Sequence, residues 1–225
     1  MFRYLIIIIA LFTINVGSSQ KRNKSQTALQ MEKLGFQNIA DKDSTIAIRL
    51  MYARSDNFTG KVLYTDLHEA YLHPYAMKSL LQAQKLLKKY HPGYRLVVYD
   101  ASRPMHIQQV MWNTVKGTKK SPYVSNPKNG GGMHNYGLAV DVSILNEKGD
   151  SIPMGTKVDY MGSVAHIDKE ASLVQQGKIT GQAKKNRELL RRVMTEAGFR
   201  PLRTEWWHFN RVTRPVAKKY YKPIP

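Results

Sequence analysis

The sequence predicts a single α+β domain. Three observations carry that reading. Residues 75–90 and 182–197 place apolar side chains at helical spacing, four other stretches read as strands, and 225 residues suffice for one good core. No internal repeat breaks the chain into smaller units.

The first nineteen residues read as a secretory signal peptide rather than part of the domain. Met1-Phe-Arg3 is a short basic start, Tyr4 to Val16 is mostly apolar, and Gly17-Ser-Ser19 supplies small residues at a cleavage position. The run is shorter than the roughly 20 apolar residues that span a bilayer comfortably. This predicts an exported, periplasmic or envelope-associated protein with no stable membrane insertion after signal removal; an uncleaved anchor is the alternative. The chain contains no cysteine, which excludes disulfides and an N-terminal lipid-bearing cysteine. An exported protein of this kind relies on its core or on a metal for stability.

The balance is strongly basic, with 35 Lys+Arg against 16 Asp+Glu. The basic residues are scattered in pairs such as Lys88-Lys89 and Arg191-Arg192, without a basic helix interleaved with aromatics. That argues against a nucleic-acid partner and leaves a polyanionic envelope or plain solvation of a basic surface.

Residues 20–44 are polar and basic, with a short helix expected around 27–34, and read as a linker. The domain proper is expected over 45–212. Residues 44–53 alternate well enough to form a strand, followed by a turn-rich loop at 54–60. His68-Glu69 and His73 resemble a helical zinc motif, but the histidines are five apart, ~140° round a helix, and cannot share a metal from one face. Pro74 opens the first strong helix, and His91-Pro-Gly93 stops it. Residues 94–99 form a strand whose end, Asp100-Ala-Ser-Arg-Pro104, hands over to a helix starting at Pro104. Arg103 at that junction suits either a cleft or a surface ion pair.

A polar loop ends in Gly130-Gly-Gly132 and leads to the strand 137–145. There Leu138, Val140, Val142 and Ile144 share one face, while Gly137, Ala139, Asp141 and Ser143 share the other. An aspartate in such a strand needs a partner, since burying an unpaired carboxylate is expensive. A metal, an arginine or a lysine would each serve. The second strong helix ends at Gly198, and residues 199–212 carry Thr204-Glu-Trp-Trp-His-Phe209 on a strand. Glu205 and His208 fall on opposite faces of an ideal strand, so joint use requires a bulge or a turn at Glu205. The Trp pair reads equally as core packing. Residues 213–225 read as a basic, surface-hugging tail.

His134 and Asp141 with Glu205 and His208 are the inventory of a hydrolytic zinc site: three ligands, room for water, and a base. In that order the motifs resemble the zinc D-alanyl-D-alanine dipeptidases of the vancomycin-resistance type. Their wider family includes D,D-carboxypeptidases and the Hedgehog zinc domain. The resemblance rests on Tyr52-Ala with Asp56-Asn-Phe-Thr-Gly60, Tyr99-Asp-Ala-x-Arg-Pro104, His134-x-x-Gly-x-Ala-x-Asp141, Pro153-Met-Gly155, Asp159 and Glu205-Trp-Trp-His208.

The resemblance implies a central, mainly antiparallel sheet flanked by helices, with one Zn2+ per chain in a cleft on the sheet. It implies His134, Asp141 and His208 as zinc ligands, Glu205 as general base and Arg103 as the oxyanion-stabilising cation. It places Tyr52 and Asp159 at the substrate's amino terminus, and a D,D-dipeptide or cell-wall peptide as substrate. The alternatives are a D,D- or L,D-carboxypeptidase and a non-catalytic zinc-stabilised wall-binding module. In one position the chain departs from the pattern: Gly132 stands where these enzymes usually carry serine. That removes a hydroxyl from the substrate-binding wall, and the neighbouring glycines are expected to supply N–H donors instead.

Overall fold

A computed structural model describes residues 24–225; the expected signal peptide lies outside the described residues. A five-stranded sheet in the order β2-β4-β5-β7-β6 organises the molecule. Its strands are β2 (Ala47–Ile48), β4 (Arg95–Asp100), β5 (Ala139–Leu145), β6 (Arg200–Leu202) and β7 (Glu205–Asn210). Three of the four pairings are antiparallel, and only the short edge strand β2 runs parallel to its neighbour β4. A two-stranded ribbon, β1 (Gln37–Asn38) with β3 (Tyr71–Leu72), stands apart from it.

The two strong helical periodicities become α3 (Pro74–Tyr90) and α6 (Gly181–Glu196), which pack on each other and on the sheet. Met77, Leu80, Ala83 and Leu87 form the buried stripe of α3, at the spacing that keeps side chains on one helical face. Proline at its first turn and the His73 imidazole, which accepts from the Tyr75 N–H, start that helix. His73 thus caps a helix and is not part of the candidate metal-ligand group among the described residues. Between strands, α4 (Met105–Val115) follows Arg103 and Pro104, and α5 (Glu170–Gln175) precedes α6.

The residues expected as a linker are built into the domain. They form α1 (Gln26–Lys33), β1 and α2 (Ile39–Lys42), and Ala28, Met31 and Ile39 are buried in the core. Few apolar residues are needed when they sit three apart on one helical face, so an overall polar composition concealed the contact. The strand expected at 44–53 shrinks to β2. After it the chain turns through a 3-10 segment, Met51–Ala53, which buries Tyr52. The tail carries α7 (Arg214–Tyr220) and does hug the surface, but it is also anchored. Ile224 is buried, its N–H donates to the Asn135 carbonyl at 2.7 Å, and its carbonyl accepts from the Met105 N–H at 2.9 Å. All seven residues of β5 are buried, on both faces, because segments around Met51 and Ile152–Val158 roof the Ser143 side. Among the described residues no helix is long and apolar enough to cross a membrane.

Candidate metal centre and active site

Sheet register assembles the centre. Asp141 on β5 is the direct cross-strand partner of His208 on β7 and of Asp100 on β4, which puts three polar side chains in one row. Regular pairing of β4 with β5 would offer Tyr99 to Asp141. A one-residue bulge after Val98 brings Asp100 there instead. His134 enters from a 3-10 turn, Met133–Tyr136, that reaches β5 through Gly137 at φ +61°. A Cβ at Gly137 would lie 2.3 Å from the Phe36 ring and 2.7 Å from the Ser102 Oγ, so the approach admits only glycine.

His208 Nδ1 lies 3.0 Å from Asp141 Oδ1 and 3.2 Å from His134 Nε2, and His134 Nε2 lies 3.4 Å from Asp141 Oδ1. Tetrahedral zinc with bonds of about 2.0–2.1 Å requires ligand atoms about 3.4 Å apart. The three donors fit, and this group could hold a metal ion. Their outer contacts agree. His134 Nδ1 is 2.7 Å from the Ala101 carbonyl and His208 Nε2 is 2.8 Å from Asn210 Oδ1. Each acceptor takes the ring's N–H, so the other nitrogen presents its lone pair inward. All three residues are buried. Although burial alone would raise it, the Asp141 carboxyl is held far below its ordinary range by the two imidazoles.

Arg103 belongs to the cleft and not to the surface. Its Nε and Nη2 donate to Asp100 Oδ2 at 3.1 and 2.5 Å, and its Nη1 donates to Gln108 Oε1 at 2.8 Å. Tyr64 donates to the other Asp100 oxygen at 2.6 Å. The backbone is pinned as well: the Arg103 N–H donates to the His134 carbonyl, and the Asn135 amide donates to the Arg103 carbonyl. The arginine and the first histidine therefore move as one piece.

Glu205 sits where β7 begins. Pro201 faces Phe209 but Leu202 faces Glu205, so Trp206, Trp207 and His208 form a broad bulge against β6. That bulge is the irregularity the odd spacing demanded, and it leaves Glu205 Oε2 3.9 Å from His208 Nδ1. Trp206 and Trp207 are buried edge-to-face against each other, so the core reading of the pair also holds. Burial pushes the Glu205 carboxyl up to about 7; His208 opposes this, and the Asp141 and Asp159 charges add to it.

Asp159 adopts φ +67°, and its Oδ1 accepts from the Tyr52 hydroxyl at 3.2 Å. Burial, then the charge of Asp141, pushes it up to about 7. Tyr52, Arg103, His134, Asp159 and Glu205 line one cavity of about 340 Å³, small among ligand pockets, which run roughly 300–1,000 Å³. Gly132 lies on the same wall, but its neighbours do not supply free donors. The N–H groups of Gly130, Gly131 and Gly132 are spent on Pro127, Asn126 and the Asn135 side chain. Every candidate residue thus borders one cleft. The reading missed Asp100, Gln108 and Asn135, which hold the others. Asp100 precedes Arg103 by three residues, a spacing that could have flagged the pair, whereas nothing local marks Asn135.

Comparison with known proteins identifies a family. A family model described as D-ala-D-ala dipeptidase, peptidase family M15, matches residues 20–224. The D-alanyl-D-alanine dipeptidase of Escherichia coli K12 is 32% identical over 164 residues, covering 73% of this chain and 78% of that protein. The enzyme of the same name from Enterococcus faecium is 27% identical over 186 residues, covering 76% and 88%. A solved LD-carboxypeptidase, LdcB, aligns over 66% of this chain and 63% of its own at 22% identity and a TM-score of 0.36. The chain belongs to the D-ala-D-ala dipeptidase family of metallopeptidases.

Proposed function

We propose that this chain is an exported zinc dipeptidase that hydrolyses D-alanyl-D-alanine or a closely related D,D-dipeptide from cell-wall turnover. The observation that carries the reading is the convergence of His134, Asp141 and His208 beside Glu205, with Asp159 on the wall of the same small cavity. The two curated relatives bear the corresponding name. Zinc held by the three ligands supplies Lewis acidity, polarising a carbonyl and acidifying water.

The chain's own residues do the rest. Glu205, beside His208 at the edge of the centre, accepts the proton of the attacking water and returns it to the leaving amine. Arg103 offers a guanidinium that Asp100 and Gln108 hold in place, so it meets developing negative charge on the carbonyl oxygen without reorganising. Asp159, steadied by Tyr52, accepts the ammonium of a free amino terminus. A chain extended at that end would leave the carboxylate unpaired, which favours a dipeptidase over a carboxypeptidase acting on acylated peptides.

The test is a hydrolysis panel with D-Ala-D-Ala, its N-acetyl derivative and L-Ala-L-Ala, with and without chelator. Zinc-dependent release of D-alanine from the free D,D-dipeptide is expected. Full activity of metal-free protein would overturn the reading, and equal turnover of the acetylated substrate would move it to a carboxypeptidase. Cell fractionation tests export: a protein confined to the cytoplasm would refute that part.

A further inference from the structure

Beside His134 the glycine N–H groups before the 3-10 turn are not free to donate. A dipeptide carries a carboxylate as well as an ammonium, and Asp159 can serve only the ammonium. Serine is absent at Gly132, and all three glycine N–H groups of the wall are already paired within the protein. One hydroxyl nevertheless stands at that place. A Cβ built on Gly132 would lie 3.0 Å from Ser125 Oγ and 3.3 Å from Ser125 Cβ.

Ser125 arrives from the loop that precedes the glycines and lines the catalytic cavity together with Gly132. Its carbonyl accepts from Gln108 Nε2 at 2.8 Å, and the same Gln108 accepts from Arg103 Nη1 at 2.8 Å. The serine is therefore strapped to the arginine that borders the reacting carbonyl. Its hydroxyl has no hydrogen-bond partner among the described residues and is half-buried, a donor held at the cleft with nothing of its own to bind.

We propose that Ser125 is a specificity-determining residue that donates a hydrogen bond to the carboxylate end of the bound dipeptide, a hydroxyl supplied from the 118–129 loop in place of one at position 132. The two positions are in close contact: a side chain at 132 would press on Ser125, which would have to give by a few tenths of an ångström, and glycine at 132 leaves Ser125 its present place. The inference rests on the dipeptidase reading and deepens it.

The experiment is a two-site cycle on the zinc-loaded full-length enzyme, with zinc content and melting temperature measured on each variant. Ser125→Ala should raise KM for D-Ala-D-Ala about tenfold, the loss expected of one hydrogen bond to a charged group, with kcat and zinc content unchanged. Gly132→Ser alone should be impaired by crowding. The double variant Gly132→Ser/Ser125→Ala should return KM to within about threefold of wild type, because the hydroxyl is back and the closer of the two contacts, the one to Oγ, is relieved while the 3.3 Å Cβ contact is met by a small shift. A merely structural serine would not give a KM effect that a second-site hydroxyl rescues.

Wild-type KM in Ser125→Ala, or a double variant no better than Ser125→Ala alone, overturns the assignment while leaving the dipeptidase reading intact. A wild-type enzyme that turns over no D,D-dipeptide overturns both.

Discussion

Replacing Asp159 by Asn should stabilise the metal-free protein at alkaline pH while damaging its function. The Asp159 carboxyl is pushed up to about 7 in the folded chain, against about 3.9 in an unfolded one. Between those values the folded state keeps a proton that the unfolded state has lost, so stability falls as pH rises through about 4 to 7. Three pH units at 1.36 kcal/mol each correspond to about 4 kcal/mol, all of it lost above pH 7. Asp159 borders the open cleft, and solvent screening roughly halves that figure, to about 2 kcal/mol. Asparagine removes the charge and keeps an oxygen for the Tyr52 hydroxyl. Thermal melts of chelated wild type and Asp159→Asn should then differ by about 4–8 °C at pH 8, with the variant higher, and by less than about 2 °C at pH 4. The same variant, loaded with zinc, should show a KM for free D,D-dipeptide at least about tenfold higher, since the ammonium loses its counter-charge. Equal stabilisation at both pH values, or a variant less stable at pH 8, would refute the electrostatic account of this position.

Other perturbations separate metal binding, catalysis and support. Glu205→Ala should retain one zinc per chain by metal analysis and lose about 10²- to 10⁴-fold in kcat, the usual scale of general acid–base catalysis; His208→Ala should lose both metal and activity. Arg103→Lys cannot reproduce the paired contacts to Asp100 together with the bond to Gln108, and should lower kcat about 10²- to 10³-fold with zinc retained. Asn135→Ala leaves the Gly132 N–H and the Arg103 carbonyl without their partner inside the protein, which should cost about 2–4 kcal/mol in urea melts. A near-neutral Asn135→Ala would show that water or backbone adjustment replaces the amide.

The residues proposed for catalysis stand out in the sequence because chemistry-bearing residues are clustered within short segments. His134 and Asp141 are seven residues apart across one turn, and Glu205 and His208 share one strand. Helix α3 was equally legible, since its apolar spacing is a local property. What failed was local in a different sense. The segment 20–44 looked like a linker because Ala28, Met31 and Ile39 are too few to colour its composition, yet they suffice to seat it in the core. The strand expected over 44–53 stopped at Ile48, because after two paired residues the chain turns to deliver Tyr52 to the cleft. The glycines before His134 looked like free donors, and only the positions of Pro127, Asn126 and Asn135 reveal that their N–H groups are taken.

By itself the sequence determined the α+β class and the family likeness and singled out the proposed donor set and base, all properties of residue identity and short-range order. Tertiary structure decided how these act together. The bulge before Asp100, the bulge before Phe209 and the register of β5 between them turn Asp100, Asp141 and His208 into one row. Register across a sheet is set by long-range pairing, and a one-residue slip reverses which face a side chain takes, so no single segment encodes it. The same holds for Gly132 and Ser125, seven residues apart in the chain. Their identities are plain in the sequence, and their contact exists only in the fold.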